Sequence, residues 1–193
     1  MRLNLWIALL TRPDIANAVR VVARYCSAPK LIHWKAALGI LGYAVRTSSF
    51  RITFQRGTVE RFHSVSFTDA DYASKVTDRR SVSGGVVMCP GGPVSWYSKT
   101  QKCVTLSTMK AEYVAMSDVA KEILFLRLVW RFMLQRVGMP CIPLFEDNEG
   151  AIQIAKHPIS NSKFEAHRRT APFSEGVGRK EGCLLYTSPS PRD

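Results

Sequence analysis

Residues 106–134 read LSTMKAEYVAMSDVAKEILFLRLVWRFML and lie in the longest stretch of the chain without glycine or proline. Serine and threonine at its start suit helix N-capping, and Gly138 and Pro140 follow it as stop signals, so it predicts one long helix. We expect a break near Ser117-Asp118. The side expected to face solvent carries Lys110, Ser117, Asp118 and Lys121 at helical spacing.

Glu112 is the exception in this helix, because its neighbours on the helix surface are apolar. A carboxylate that faces the core is costly unless it is paired or bound to a metal ion. Two interpretations therefore stay open for Glu112, a pairing with a nearby lysine or chain end and a place in a metal site. The neighbours at i+3, i+4 and i+7 are Ala115, Met116 and Val119.

The segments around the helix predict a mixed sheet. Three antiparallel strands precede it, and a short buried strand and another helix follow it. This order predicts an α+β or mixed α/β layer with at least one crossover. The predicted strands are Phe62–Thr68, Val82–Cys89, Pro93–Ser98 and Pro143–Glu146, and the last helix is Gly150–Ala155.

Two further helices are predicted near the N-terminus. Thr11 is expected to cap the first, with Arg12 and Pro13 in its first turn. The second spans Ile32–Val45, and Phe50–Gln55 alternates like a strand. The side chains expected to point inward from the second helix are Trp34, Leu38, Leu41 and Val45. Together these helices expose more apolar surface than they can cover between themselves.

The balance of charge favours a polyanionic partner. The 27 Lys and Arg residues exceed the 15 Asp and Glu residues, which gives a net charge of +12. Nucleic acid is the first candidate and an acidic membrane surface the second. The five cysteines contain no CxxC pair, so neither a zinc site nor a disulfide framework is indicated, and a reducing compartment is expected. No apolar run approaches ~18 residues, so no membrane-spanning segment is expected.

Carboxylates at the ends of strands suggest a metal site. Asp69 closes the first predicted strand and Asp147 the fourth, and side chains at strand ends are rigidly held yet open to substrate. Together with Glu112 they could bind two Mg²⁺ ions, which take hard oxygen ligands and act in pairs on phosphodiesters. Aspartate at a strand end is also a common turn residue, so the spacing alone leaves both interpretations open.

Longer motifs identify a family. FTDADYA, DRRSVSGGVV, GPVSWYSKTQKCVTLSTMKAEYVAMSDVAKE and EDNEGAIQIAKHPIS resemble the RNase H domain of copia-type retrotransposon Pol polyproteins. TRPDIANAV and HWKAALGILGYAVRTSSF resemble the connection that joins the reverse transcriptase of that family to its RNase H. The resemblance implies an RNase H-like fold, incomplete at its C-terminal end. It divides the chain into a connection remnant (1–58), an RNase H-like domain (61–163) and a tail (164–193).

The resemblance also implies Mg²⁺-dependent hydrolysis of the RNA strand of RNA/DNA hybrids. Asp69, Glu112 and Asp147 match the metal-binding carboxylates of the family, and Asp71 matches an accessory residue. The rest of the Pol polyprotein would be a further partner, and the location would be cytoplasmic, in a virus-like particle, or nuclear. Residues in matching motifs that are expected to face the hybrid, or to lie in solvated loops, are Lys99, Gln101, Lys102, Ser107 and Asn148.

After Lys163 the chain departs from the family pattern in a way that fits a one-nucleotide frameshift near residue 164. We therefore expect 164–193 to be a frameshifted or artefactual tail, and the source of the fourth carboxylate of the family to be missing. Nuclease activity is expected to be impaired. The alternative function is that of a catalytically inactive basic remnant that only binds nucleic acid, with salt-sensitive affinity.

Overall fold

The structure, a computed structural model of the 193-residue chain, describes residues 1–54, 64–74, 78–133 and 142–156 and the backbone of 185–187. The helices are α1 (Arg2–Leu10), α2 (Ala16–Ala23), α3 (Leu31–Arg46), α4 (Thr108–Met133) and α5 (Glu149–Lys156), with a 3-10 helix at Pro13–Ile15. The strands are β1 (Val65–Asp71), β2 (Val82–Cys89), β3 (Gly92–Thr100), β4 (Leu144–Glu146) and β5 (Leu185–Thr187).

The five strands form one mixed sheet in the order β3-β2-β1-β4-β5. β1, β2 and β3 make an antiparallel meander, whereas β4 pairs parallel with β1 and β5 parallel with β4. The predicted α/β class with a crossover is confirmed. β1 pairs with β2 as far as Asp71↔Val82, so Asp69 lies inside the strand and the prediction that it closes the strand is wrong.

Helix α4 packs across β1 and β2 and supplies three of the seven buried residues of the main apolar cluster. A Cβ atom on Gly85 of β2 would lie 2.6 Å from Cγ2 of Val119, so glycine is what allows this close approach. The buried core cluster contains Val87, Met116, Val119, Ile123, Ile142, Leu144 and Ala151. Burial of this apolar surface is the main favourable term holding the helix on the sheet.

Two predictions about α4 are wrong. The helix runs without a break through Ser117 and Asp118. Ser117 is buried, because its small side chain lies on the side that meets the sheet, and Asp118 pairs with Lys99 of β3 at 3.2 Å. Ser117 and Asp118 therefore contact the sheet, and the predictions of a helix break and of a solvent-facing side at these two residues are both wrong.

The N-terminal helices form a second, smaller cluster around Ala8, Ile15 and Val19. Thr11 does not cap the following helix, because its hydroxyl donates backward to the carbonyl of Ile7 and it ends α1. This region contacts the sheet through β3, where Trp96 Nε1 donates to the carbonyl of Ala8 at 2.7 Å.

Helix α3 forms where the sequence predicts it, but the residues predicted to point inward are mostly exposed, whereas Ile40 packs against the N-terminal cluster. Trp34 is 59% exposed, Leu38 47% and Val45 65%, Leu41 is half-buried, and no residue of α3 is buried. The prediction that they face inward is wrong, because the described residues include no element that covers this side of the helix. Its C-terminal end is instead held by Arg12, which donates to the carbonyl of Thr47 at 3.2 Å and to its hydroxyl at 2.6 Å.

Two other predicted segments also differ. Residues 50–54 form no strand, and Ile52 lies against Gly92 of β3 without joining the sheet ladder, while Gln55 lies outside the described residues. In the tail, residues 185–187 form strand β5, and the other tail residues lie outside the described part. No described helix is both long enough and apolar enough to cross a bilayer.

Candidate metal centre

The side chains of β1 alternate between the two faces of the sheet. Thr68 lies opposite Gly85, whose missing side chain would point at α4, so Thr68 is on the helix-covered face. Phe67 and Asp69 are therefore on the open face, and both are exposed. Asp69 lines a groove of about 550 Å³ on that face.

β4 follows the same alternation next to β1. Phe145 stacks on Phe67 with ring centroids 5.3 Å apart, which places it on the open face. Leu144 is buried in the core beneath α4. Glu146 is two residues further on, so it shares the helix-covered face with Leu144 and is fully buried.

Glu112 meets Glu146 from the helix side. It is only 7% exposed, as its apolar neighbours on α4 predict. The backbone of Ala70 in β1 lies close enough to its carboxylate to oppose the rise of the Glu112 pKa. The side chain is thus held between the central helix and the adjoining ends of β1 and β4.

One carboxylate oxygen from each of Glu112, Glu146 and Asp147 lies within 4.8 Å of the others. The structure thus brings together two of the three predicted carboxylates, Glu112 and Asp147. Asp69 is not in this group, although it is near enough for its charge to raise the pKa of both glutamates. The charge of Asp71 acts on Arg20 of α2, so Asp71 faces the N-terminal region.

Glu146 is the residue of this cluster that the sequence analysis missed. The sequence PLFEDN indicates it only as the end of a strand. The signal was its spacing from Leu144, since a residue two positions after a core leucine in a strand lies on the same face.

Burial shifts the acid–base properties of both glutamates. Burial raises the pKa of Glu112 to about 8, with further contributions from the charges of Glu146, Asp69 and Asp147. Burial also raises the pKa of Glu146 to about 7, assisted by Asp147 and Asp69, although the Asn148 N–H opposes the shift. Both shifts arise because desolvation and like charges disfavour the ionised form.

A divalent cation fits this cluster. Glu112 Oε2 and Glu146 Oε2 are both buried and have no hydrogen-bond partner among the described residues. Carboxylate oxygens are the ligands that Mg²⁺ prefers, and a cation would remove the repulsion that the pKa shifts report. Glu112 and Asp147, the two predicted ligands in the cluster, are placed to hold it, with Glu146 and Asp69 beside them.

The five residues predicted to face nucleic acid take different positions. Gln101 is buried and its amide donates to Ser83 Oγ and to the carbonyl of Ala111, so the prediction for Gln101 is wrong. Ser107 and Asn148 accept from backbone N–H groups at the starts of α4 and α5, which makes them helix caps. Lys99 and Lys102 are exposed, and Lys99 also pairs with Asp118.

Comparison with known proteins places the chain. No protein-family model matches it. It is 36% identical over 161 residues to the retrovirus-related Pol polyprotein from transposon TNT 1-94 of Nicotiana tabacum, covering 82% of this chain and 12% of that one. It is 38% identical over 122 residues to secreted RxLR effector protein 161 of Plasmopara viticola, covering 63% and 84% of the two chains. RNase H1 of Halobacterium salinarum is similar at TM-score 0.49 and 14% identity, covering 67% of this chain and 88% of that structure.

The chain belongs to the family of copia-type retrotransposon Pol polyproteins. The α/β fold predicted from its motifs is confirmed. It spans about a tenth of the length of the curated Pol polyproteins that it matches.

Proposed function

We propose that this chain binds divalent metal at its carboxylate cluster and hydrolyses the RNA strand of RNA/DNA hybrids, at a low rate. The observation that supports this most strongly is the convergence of Glu112, Glu146 and Asp147, with two buried oxygens that no described residue satisfies. Such oxygens are costly to bury unless a cation meets them.

The position of the cluster suits chemistry on a phosphodiester. It lies where the adjoining ends of β1 and β4 meet α4, so its carboxylates are fixed by the core. Asp69 and Asp147 are exposed and could reach a substrate, whereas Glu112 and Glu146 are held beneath them. Mg²⁺ bound here would supply an activated water and charge stabilisation at the scissile phosphate.

The residues of the chain have separable roles in this proposal. Glu112 and Asp147 hold metal, and Asp69 approaches from the open face. A net charge of +12 favours a polyanionic substrate. The 2′-hydroxyl and the shape of the minor groove, rather than the base sequence, would select the hybrid.

The test is cleavage of a hybrid whose RNA strand is end-labelled, at increasing Mg²⁺ concentrations. We expect slow cleavage by the full chain that is lost in Glu112→Gln. Glu149→Gln, an exposed acid at the start of α5, is the matched control and should cleave at the wild-type rate. Equal rates for the wild type and Glu112→Gln would contradict the proposal.

A second candidate is the basic remnant that binds nucleic acid without cutting it. The high positive charge and the departure from the family pattern after Lys163 favour it. It predicts hybrid binding that weakens steeply with salt, together with an absence of metal-dependent cleavage. The same cleavage assay, run beside a binding titration, separates the two functions.

A further inference from the structure

Glu146 stands out among the acidic residues that the structure describes, because it is completely buried and only one of its two carboxylate oxygens accepts a hydrogen bond. Its Oε1 accepts from the backbone N–H of Asn148 at 3.0 Å. Its Oε2 has no hydrogen-bond partner among the described residues. A carboxylate oxygen in this situation needs a proton or a cation.

The surroundings of Glu146 make a cation the better match. The nearest functional groups are other carboxylates, those of Glu112 and Asp147, and oxygens of all three lie within 4.8 Å of one another. No ion pair links any of the three to a basic residue in the described part of the chain. Gathering negative charge under the sheet without a basic partner is unfavourable unless something positive binds between the groups.

The spacing also suits one small cation. With Mg–O distances near 2.1 Å, neighbouring oxygens in an octahedral shell lie about 3.0 Å apart and opposite ones about 4.2 Å apart. Small side-chain movements would bring three oxygens within 4.8 Å to those separations. Glu146 needs little movement, since its backbone is fixed in β4 between β1 and β5.

We propose that Glu146 is a direct metal ligand of this centre and supplies a carboxylate beyond Asp69, Glu112 and Asp147. This inference rests on the proposed function. It makes the centre partly independent of any carboxylate from the C-terminal tail, because the ligand comes from the core of the sheet. It also divides the ligands into a buried pair, Glu112 and Glu146, and an exposed pair, Asp69 and Asp147.

The test measures metal binding without substrate. Mn²⁺ is titrated into the full purified chain, and free Mn²⁺ is followed by electron paramagnetic resonance. We expect Glu146→Gln, which keeps the shape but removes the charge, to weaken Mn²⁺ binding at least about tenfold. Glu112→Gln should weaken it similarly, and the control Glu149→Gln should stay within about twofold of the wild type.

Thermal unfolding of the metal-free proteins tests whether weaker Mn²⁺ binding is caused by a loss of the fold. Glu146→Gln should unfold at the wild-type temperature or above, because it removes a buried charge. If it unfolds lower, Glu146→Asp, which keeps the charge on a shorter side chain, must still bind Mn²⁺ more weakly than the wild type for the inference to hold.

The outcomes separate this inference from the proposed function. If Glu146→Gln binds Mn²⁺ like the wild type while Glu112→Gln does not, Glu146 is no ligand and the proposed site survives without it. If the wild type itself fails to bind Mn²⁺, both the inference and the proposed metal centre are overturned.

Discussion

The N-terminal helices and the sheet with α4 are stabilised in different ways. The sheet region is built around a buried apolar cluster, and its central helix alone buries eight residues. The longest helix of the N-terminal region, α3, buries none, although Ile40 packs against the N-terminal cluster, and its C-terminal end is held by Arg12. Similar apolar periodicity thus produces a buried core at α4 and a largely exposed helix, held partly by polar contacts, at α3.

The largest effect should come from the core of the sheet region. Met116→Ala removes a fully buried side chain from α4 and should cost about 3–4 kcal/mol of unfolding free energy. Leu128→Ala, in the same helix but 64% exposed, should change stability by less than about 0.5 kcal/mol. Urea denaturation measures both variants, and similar losses would show that α4 is not anchored by this cluster.

Arg12 should be the most sensitive position of the N-terminal region. Arg12→Ala removes the bond to Asp14 and both contacts to Thr47, and should cost about 2–3 kcal/mol. The partial exposure of Asp14 keeps the cost below that of a fully buried pair. Arg46→Ala, an exposed arginine of α3, is the control.

Hydrogen exchange locates the effect of Arg12→Ala. Amide protection in α3 should fall while protection in β2 and α4 stays unchanged, because separate contacts hold the two regions. Equal loss of protection throughout the chain would contradict the contrast between them.

Stability in the sheet region should also depend on pH. Glu112 and Glu146 have folded-state pKa values of about 8 and about 7, above the ordinary 4.5. Between pH 4.5 and these folded-state pKa values, the folded chain binds more protons than the unfolded chain. Their stabilising contribution is thus complete below pH 4.5 and is lost as the pH rises through 7 and 8.

We expect metal-free protein to lose unfolding free energy steadily between pH 5 and pH 8 for this reason. Denaturation at several pH values measures it. The double variant Glu112→Gln/Glu146→Gln should flatten the curve, and saturating Mg²⁺ should reduce the slope in the wild type. A stability that rises over this pH range and does not respond to the double substitution would contradict the assignment.

The sequence predicts well the features that local pattern determines. The bounds of β2 and the core-facing position of Glu112 follow from alternation and helical spacing. The outward face of α3 could not be predicted, because periodicity shows that a helix has an apolar side but not whether another element covers it. The prediction that Asp69 ends β1 is wrong for a similar reason, because the length of β1 depends on its pairing with β2.

The candidate site shows the same division. The motifs point to Glu112 and Asp147, which the structure brings together. Gln101 was predicted to face nucleic acid, but its amide bonds Ser83 and Ala111 inside the fold, a contact between segments distant in sequence. Glu146 is not indicated by the motif EDN, because the resemblance to the family points only to the aspartate that follows it.

We propose that the carboxylates between α4 and β4 form a metal centre. Crystals of the chain grown with Mn²⁺ and measured at its absorption edge test this directly. We expect an anomalous peak at ligand distance, roughly 2.1 Å, from oxygens of Glu112, Glu146 and Asp147. At saturating Mn²⁺, a map with no peak at these three side chains would contradict it.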